Sequence, residues 1–287
     1  MKNSILFVSL IALSLAILKI IFSIFSGSII VLASALDSLI DVVFSLFNYI
    51  ALRKIESPSN KYFNYGFGKL EGLASLFEGC AIFISGIYII YQSIIKFINN
   101  EGVSNINQGL FVMIVSIFVT LFLVIYLKKI SLNAKNNLII KAEILHYKTD
   151  LFGNLGIIIS LLIIEITGFG FLDSIIGCVL GIYICYNAFK ITKSGFFMLL
   201  DRAIDDDLYK KIVDILDKNT NITSYHDIKS RISGDTIFLE YHLVFNEHIS
   251  LFDAHSISND IEQSIEKLSN AYKWTILVHF DSYDDSK

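Results

Sequence analysis

The chain has 287 residues, of which 54% are hydrophobic and only 17% charged, with a formal net charge of −4. It is too apolar for an ordinary soluble domain, whose charged fraction runs near ~25%, and the slight negative charge gives no footing for nucleic-acid binding. Cys80, Cys178 and Cys185 lie in apolar stretches without CxxC spacing, which excludes a disulfide framework or a thiolate zinc site and leaves them as small packing residues.

Six stretches reach the roughly 20 apolar residues that a bilayer-spanning helix needs: 5–25, 29–52, 70–95, 108–128, 138–165 and 172–194. The first does not read as a cleaved signal peptide. It lacks a strongly basic start and a small-residue cleavage site, and only Ser26, Gly27 and Ser28 separate it from the second. Arg53, Lys54, Lys61 and Lys69 follow the second span, and Lys128, Lys129 and Lys135 follow the fourth. The short connections after spans one and five carry no Lys or Arg, so both termini are expected on the cytoplasmic side.

Some charges in or beside these spans have ordinary explanations. Lys19 is placed to snorkel, Glu71 and Glu78 to reach cytoplasmic water from the start of span three, and Asp173 to cap span six. Two pairs have no such exit. Asp37 and Asp41 in span two, and His146 and Asp150 in span five, are each spaced i, i+4, which puts each pair on one helical face. Ionisable groups at membrane depth are costly enough to mark function. Three carboxylates and one imidazole offer a four-ligand site whose oxygen and nitrogen donors suit Zn²⁺ or Fe²⁺ better than Cu⁺. Binding there is linked to pH, because metal and protons compete for the same atoms.

From Asp201 onward polar and apolar residues alternate. A helix is expected at 205–218, strands at 224–232 and 235–245 around a Ser233–Gly234 turn, a helix at 251–268 and a strand at 274–280. The expected organisation is an α-helical membrane protein: a six-helix transmembrane domain over 1–200 and a small α+β cytoplasmic domain over 201–287. The latter holds a second candidate ligand set: His226, His242, His255, His279 and Asp281. His279 and Asp281 share a strand face, and the others come from separate elements.

Together these residues resemble the cation diffusion facilitator family of divalent-metal transporters, most closely its bacterial ferrous-iron and zinc efflux branch. The resemblance is carried by ALDSLIDVVFSLFN, YGFGKLEGLASL, ILHYKTDLFGNL, DSIIGCVLGIYICYNAF, LLDRA and the histidine-bearing tail. It implies a secondary active transporter rather than an enzyme, working as a homodimer in the bacterial cytoplasmic membrane. The protein would exchange Zn²⁺ or Fe²⁺, with Cd²⁺ as a toxic substitute, for protons, with no organic cofactor and lipid as its surroundings. The tail would have a metallochaperone-like αββαβ fold. Asp37, Asp41, His146 and Asp150 match the family's transport site. His226, His242, His255, His279 and Asp281 match its cytoplasmic binuclear site, with Asp281 bridging, and Lys69 and Asp201 match an interprotomer charge interlock.

Two departures accompany the resemblance. Asn60, Phe63 and Phe67 stand where relatives of this branch often carry loop metal ligands, so that site is expected to be missing; Glu78 stands where close relatives tend to be uncharged. Two competing readings are weaker. An intramembrane metalloenzyme lacks an HExxH-like helix, and a membrane-anchored sensor explains the tail but not ligands at membrane depth.

Overall fold

The computed structural model describes residues 2–26, 29–99, 107–132, 137–167 and 171–284; within these, the side chains of 2–3, 22–37, 40, 96, 107–113, 157–167, 171–173 and 176 lie outside the description. The chain divides into two compact units, 1–58 with 70–196, and 59–69 with 197–287.

The first unit contains six long helices: α1 (Lys2–Ser26), α2 (Ile29–Ile55), α3 (Lys69–Asn99), α4 (Asn107–Ser131), α5 (Leu138–Thr167) and α6 (Phe171–Leu199). All six expected spans are present. Three of them, α1, α3 and α4, contain described stretches long and apolar enough to cross a membrane. Long side chains including Leu10, Ile17, Val43, Ile50, Ile84, Ile125, Val179 and Ile182 stand exposed around this unit. An apolar surface of this extent belongs in lipid rather than water.

Helices α1, α2, α4 and α5 share a core built on Ile5, Val8, Leu52, Leu123, Leu127, Ile139, Ile140 and Tyr147. A second cluster joins α3, α5 and α6 through Ile82, Leu145, Ile184 and Ala188. Glycines let α3 and α6 approach closely. A Cβ on Gly195 would lie 2.6 Å from the Gly72 carbonyl oxygen, and one on Gly181 would lie 3.0 Å from that of Gly86. Small residues at such crossings are what brings membrane helices together, since lipid supplies no hydrophobic drive for association.

Three charges do not behave as the sequence suggested. Lys19 is 5% exposed and donates to Ser38 Oγ at 2.7 Å. Glu71, 3% exposed, accepts from Asn137 Nδ2 at 2.9 Å and from the Leu138 amide at 2.6 Å. Glu78, 1% exposed, accepts from Asn48 Nδ2 at 2.7 Å. They do not reach outward, because polar side chains on neighbouring helices satisfy them in place. Asp173 lies outside the described side chains.

In the second unit, α7 (Asp206–Asp217), β1 (Ser224–Ser233), β2 (Thr236–Val244), α8 (Leu251–Glu266) and β3 (Lys273–Asp281) form the expected αββαβ order. The sheet order is β1-β2-β3, with β1 and β2 antiparallel and β2 and β3 parallel. The hairpin turn falls at Gly234–Asp235, with Ser233 pairing Thr236 and Gly234 at φ +61°. Leu239, Tyr241 and Leu243 of β2 point into a core shared with Ile212 and Leu216 of α7 and with Ala254, Ile261 and Ile265 of α8. The even-numbered side chains of β2 therefore face away from the helices.

Residues 59–69 pack within this unit. Asn60 Oδ1 accepts from the amides of Tyr62 and Phe63, and the Phe63 and Phe67 rings pack tilted at 41° with centroids 4.9 Å apart. The three positions that replace loop ligands thus form a turn and an aromatic pair. The Arg231 guanidinium lies 4.8 Å from both the Tyr65 and Phe238 rings. Lys69 Nζ caps the end of α6 through the carbonyls of Met198 and Leu199, and meets Asp201 Oδ1 at 2.6 Å within one protomer. Asp201 sits at φ +56°, a conformation that Asp tolerates better than most residues. Burial works to raise its carboxyl pKa, but the Lys69 hydrogen bond and the charges of Lys69 and Arg231 outweigh it and hold the group below its ordinary value.

Two outcomes follow from this packing. Gly195→Val should destabilise the α3–α6 crossing by about 1–3 kcal/mol, whereas Gly153→Ala, with open space around it, should be neutral; thermal unfolding in detergent measures both. A depressed carboxyl pKa stabilises above its unfolded value and loses that contribution as pH falls through the folded one. Part of the stability should therefore disappear below about pH 4, and Lys69→Ala should flatten that step in a pH series of melting temperatures.

Candidate metal centres

Within the helical unit, α2 and α5 bring Asp41, His146 and Asp150 together. His146 Nε2 lies 2.8 Å from Asp41 Oδ1 and 3.8 Å from Asp150 Oδ2. One ligand atom from each residue falls within 4.8 Å of the others, and the side chains are only 13%, 14% and 19% exposed for Asp41, His146 and Asp150. The two helices are fixed by the shared core, and i, i+4 spacing on α5 stacks His146 and Asp150 on one face. Asp37 lies on α2 one helical turn before Asp41; its side chain is outside the described residues.

The 2.8 Å contact has a chemical consequence. When no cation is bound, an imidazole nitrogen and a carboxylate oxygen this close share a proton, since both otherwise present lone pairs. A divalent cation entering here must displace that proton. The Phe44 and Tyr147 rings lie 6.0 and 5.6 Å from the imidazole and give it aromatic neighbours.

In the α+β unit the sheet does the positioning. His226 on β1 pairs in register with His242 on β2, which pairs with His279 on β3. The three imidazoles therefore stand in a row across the face opposite the helices, with ring centroids 4.8 and 4.7 Å apart. Asp281, two residues beyond His279, reaches both ends of the row. Its Oδ2 lies 2.8 Å from His242 Nδ1 and 3.5 Å from His226 Nε2, and its Oδ1 lies 3.2 Å from His279 Nε2. A carboxylate whose two oxygens face different imidazoles is disposed to bridge two ions.

His226, His242 and Asp281 form the tight group, and His279 adjoins it at 66% side-chain exposure. His255 does not join them within the chain. It is exposed on α8, and α8 packs its buried face on the other side of the sheet from the histidine row.

Two residues that the sequence reading did not single out sit beside the row. Asp227 Oδ2 is 4.0 Å from His242 Nε2, and Asp284 Oδ1 is 3.7 Å from His226 Nδ1. Asp227 has φ +55° at the irregularity between His226 and Lys229. The bulge turns its carboxylate back toward the histidines. The Lys229 hydrogen bond, helped by the Lys229 charge, holds its pKa below the ordinary value against the opposing effect of desolvation. The only sequence signal was an acid next to a histidine in YHD.

A further set lies nearer the Arg53–Lys54 end of α2 and the start of α5, where Glu143, Ser45, Asn48, Tyr147 and Glu78 share one hydrogen-bonded cluster. Among its members only Glu78 stood out in the sequence.

Comparisons with known proteins agree with both halves of this description. Residues 5–200 match the family described as the cation efflux transmembrane domain, and residues 204–283 match the cytoplasmic domain of cation efflux proteins. The cation-efflux pump FieF of Shewanella oneidensis is 34% identical over 86% of this chain and 83% of its own length. Protein p34 of Rickettsia prowazekii is 29% identical over 95% of this chain and 89% of its own. The FieF pump of Serratia proteamaculans is 29% identical over 98% and 92%.

If the histidine row holds metal, Zn²⁺ at about 100 times its Kd should stabilise the full chain by about 2.7 kcal/mol. His242→Ala should abolish that shift. Because cations and protons compete for the imidazoles, the shift should shrink as pH falls; calorimetry with and without a chelator reads each outcome.

Proposed function

The chain belongs to the cation efflux family, and we propose that it exports divalent metal cations from the cytoplasm in exchange for protons. The observation that carries this reading is the Asp41–His146–Asp150 cluster, held between two membrane helices with His146 Nε2 in hydrogen-bond contact with Asp41 Oδ1. Asp37 on the same helix supplies the fourth ligand. Zn²⁺ and Fe²⁺ are the cargo that a mixed carboxylate and imidazole set favours, with Cd²⁺ as a substitute.

The steps follow from competition at these atoms. With its cytoplasmic side open, the site trades protons for a cation, because four anionic or neutral donors bind a double charge more strongly than the protons they carry. With its outer side open, a higher proton activity reverses the exchange and evicts the cation. Metal-loaded and protonated forms need only prefer opposite-facing conformations for a proton gradient to drive export.

Other parts of the reading rest on separate observations. The excess of Lys and Arg after α2 and α4 supports a cytoplasmic side for both termini. On that orientation residues 1–200 form the transport domain, and 201–287 face the metal pool. The match of residues 204–283 to a family cytoplasmic domain supports assembly as a homodimer through this part. The His226–His242–His279–Asp281 row binds cytoplasmic metal there and stabilises the domain when loaded.

The test is metal flux in proteoliposomes carrying an imposed pH gradient. Acid-loaded vesicles should accumulate Zn²⁺ or Fe²⁺ and alkalinise as they do so, and dissipating the gradient should stop uptake. Asp41→Ala should lower the initial rate by at least roughly tenfold, while His242→Ala should retain transport. Wild-type protein that binds Zn²⁺ but moves none would be a sensor, and the transport reading would fall.

A further inference from the structure

Seven residues separate Asp41 from Asn48 on α2, Glu71 from Glu78 on α3, and Glu143 from Asp150 on α5. That spacing returns a side chain to nearly the same face about 10.5 Å further along a helix. Asn48 is nearer than Asp41 to the Arg53–Lys54 end of α2, and Glu143 is nearer than His146 to the start of α5. On α2 and α5 the second set of polar residues thus lies on the same side of the transport ligands, toward the basic-flanked ends, and Glu78 of α3 meets them there.

These residues meet. Asn48 Nδ2 donates to Glu78 Oε2 at 2.7 Å and also to Glu143 Oε2, while Ser45 Oγ donates to Glu143 Oε1. Ser45, Asn48, Glu78 and Glu143 are each 1% exposed. Neither carboxylate has a Lys or Arg partner among the described residues. Glu78 Oε1 and Asn48 Oδ1 are buried without any hydrogen-bond partner, as is Ser75 Oγ one turn before Glu78. Unsatisfied oxygens beside two carboxylates call for a positive charge that the protein itself does not supply.

The Asn48 amide marks where that charge belongs. One nitrogen touches an oxygen of each carboxylate, so those two oxygens are at most about 5 Å apart. Turning the amide over exchanges its nitrogen for its oxygen. The donor between the carboxylates then becomes a third acceptor, and the set becomes oxygen throughout, with the Ser45 hydroxyl beside it. We propose that Glu78, Glu143 and Asn48 form a second intramembrane cation site, a loading station on the cytoplasmic side of the transport ligands. Oxygen donors without nitrogen or sulfur select hard to borderline divalent cations such as Mn²⁺ and Fe²⁺. The direction of loading rests on the transport reading above; the existence of the site does not.

The test uses full-length protein in nanodiscs with Mn²⁺ as the probe, read by metal analysis and by its paramagnetic resonance. In an Asp41→Ala, His242→Ala background, which disables both other centres, Mn²⁺ should still bind within the membrane domain. Adding Glu78→Gln, which keeps the shape and the acceptor for Asn48, should weaken that binding by about tenfold or more, and Glu143→Gln should do the same independently. In otherwise wild-type protein Glu78→Gln should raise KM for Mn²⁺ by a similar factor with little change in kcat, the mark of lost loading rather than lost turnover. Absence of Mn²⁺ from the double-substituted background, or binding indifferent to both glutamates, would overturn the proposal. So would a Glu78→Gln effect confined to the number of protons moved per metal ion, which would make the pair a proton carrier only. Failure of the transport reading would appear instead as missing wild-type flux, and equilibrium binding is unaffected by it.

Discussion

A carboxylate at membrane depth has to be matched, and that requirement governs the helical unit. Removing such a group from water costs several kcal/mol even after the surroundings relax, and lipid offers nothing in return. Asp41 is matched by the proton it shares with His146, Glu143 by Ser45 and Asn48, and Glu71 by Asn137 and the Leu138 amide. Each match joins two helices, so helix packing and charge compensation are one problem. The apolar core of α1, α2, α4 and α5 brings α2 and α5 together, and the polar pairs fix which turn of one meets which turn of the other. Glu78 is the exception, with one oxygen bonded and the other bare.

The α+β unit reaches a comparable ligand density by other means. Strand register places His226, His242 and His279 side by side without any helix contributing. The same alternation that sends Leu239, Tyr241 and Leu243 into the core sends His242 to the opposite face. A one-residue slip of β2 would bury its histidine among apolar side chains and expose three core residues, so the hydrophobic pattern that folds the domain also guards the row. Asp281 terminates β3 and can serve both ends of the row because two oxygens are available on one short side chain.

Much of this was legible in the sequence for a physical reason. Long apolar stretches admit one structure in lipid, and alternation in the tail gave β1, β2 and β3 within one or two residues. The i, i+4 pairs in spans two and five were visible because both partners lie on one helix. Glu143, Asn48 and Ser45 were not, since their relation exists only across helices, and the seven-residue echo becomes meaningful once α2, α3 and α5 are known to adjoin. Glu78 and Lys19 were read as reaching water because sequence shows distance from a helix end but not whether a neighbour offers a partner closer by. His255 illustrates the matching limit in the tail: period two assigns strand faces, but nothing in the sequence says which face α8 covers.

The closeness of the two intramembrane clusters limits how they can be filled. Glu143 and His146 are three residues apart, about 4.5 Å of helix rise, and Asp41 and Asn48 about 10.5 Å apart. Two divalent cations separated by about 10 Å at an effective dielectric constant near 20 repel by about 7 kcal/mol, comparable to a micromolar binding free energy of about 8 kcal/mol. Simultaneous occupation would forfeit most of the affinity of one ion. One ion therefore moves between stations rather than two resting together, and the set that it leaves recovers a negative charge that only protons or the next cation can neutralise. A cation at the glutamate pair draws its neighbour's proton away from Asp41 and His146 by the same repulsion, since a positive charge one turn away weakens a protonated site as it weakens a metallated one. Arrival at the lower station thus helps to empty the upper one of protons, and proton release becomes coupled to loading before the ion has touched the transport ligands.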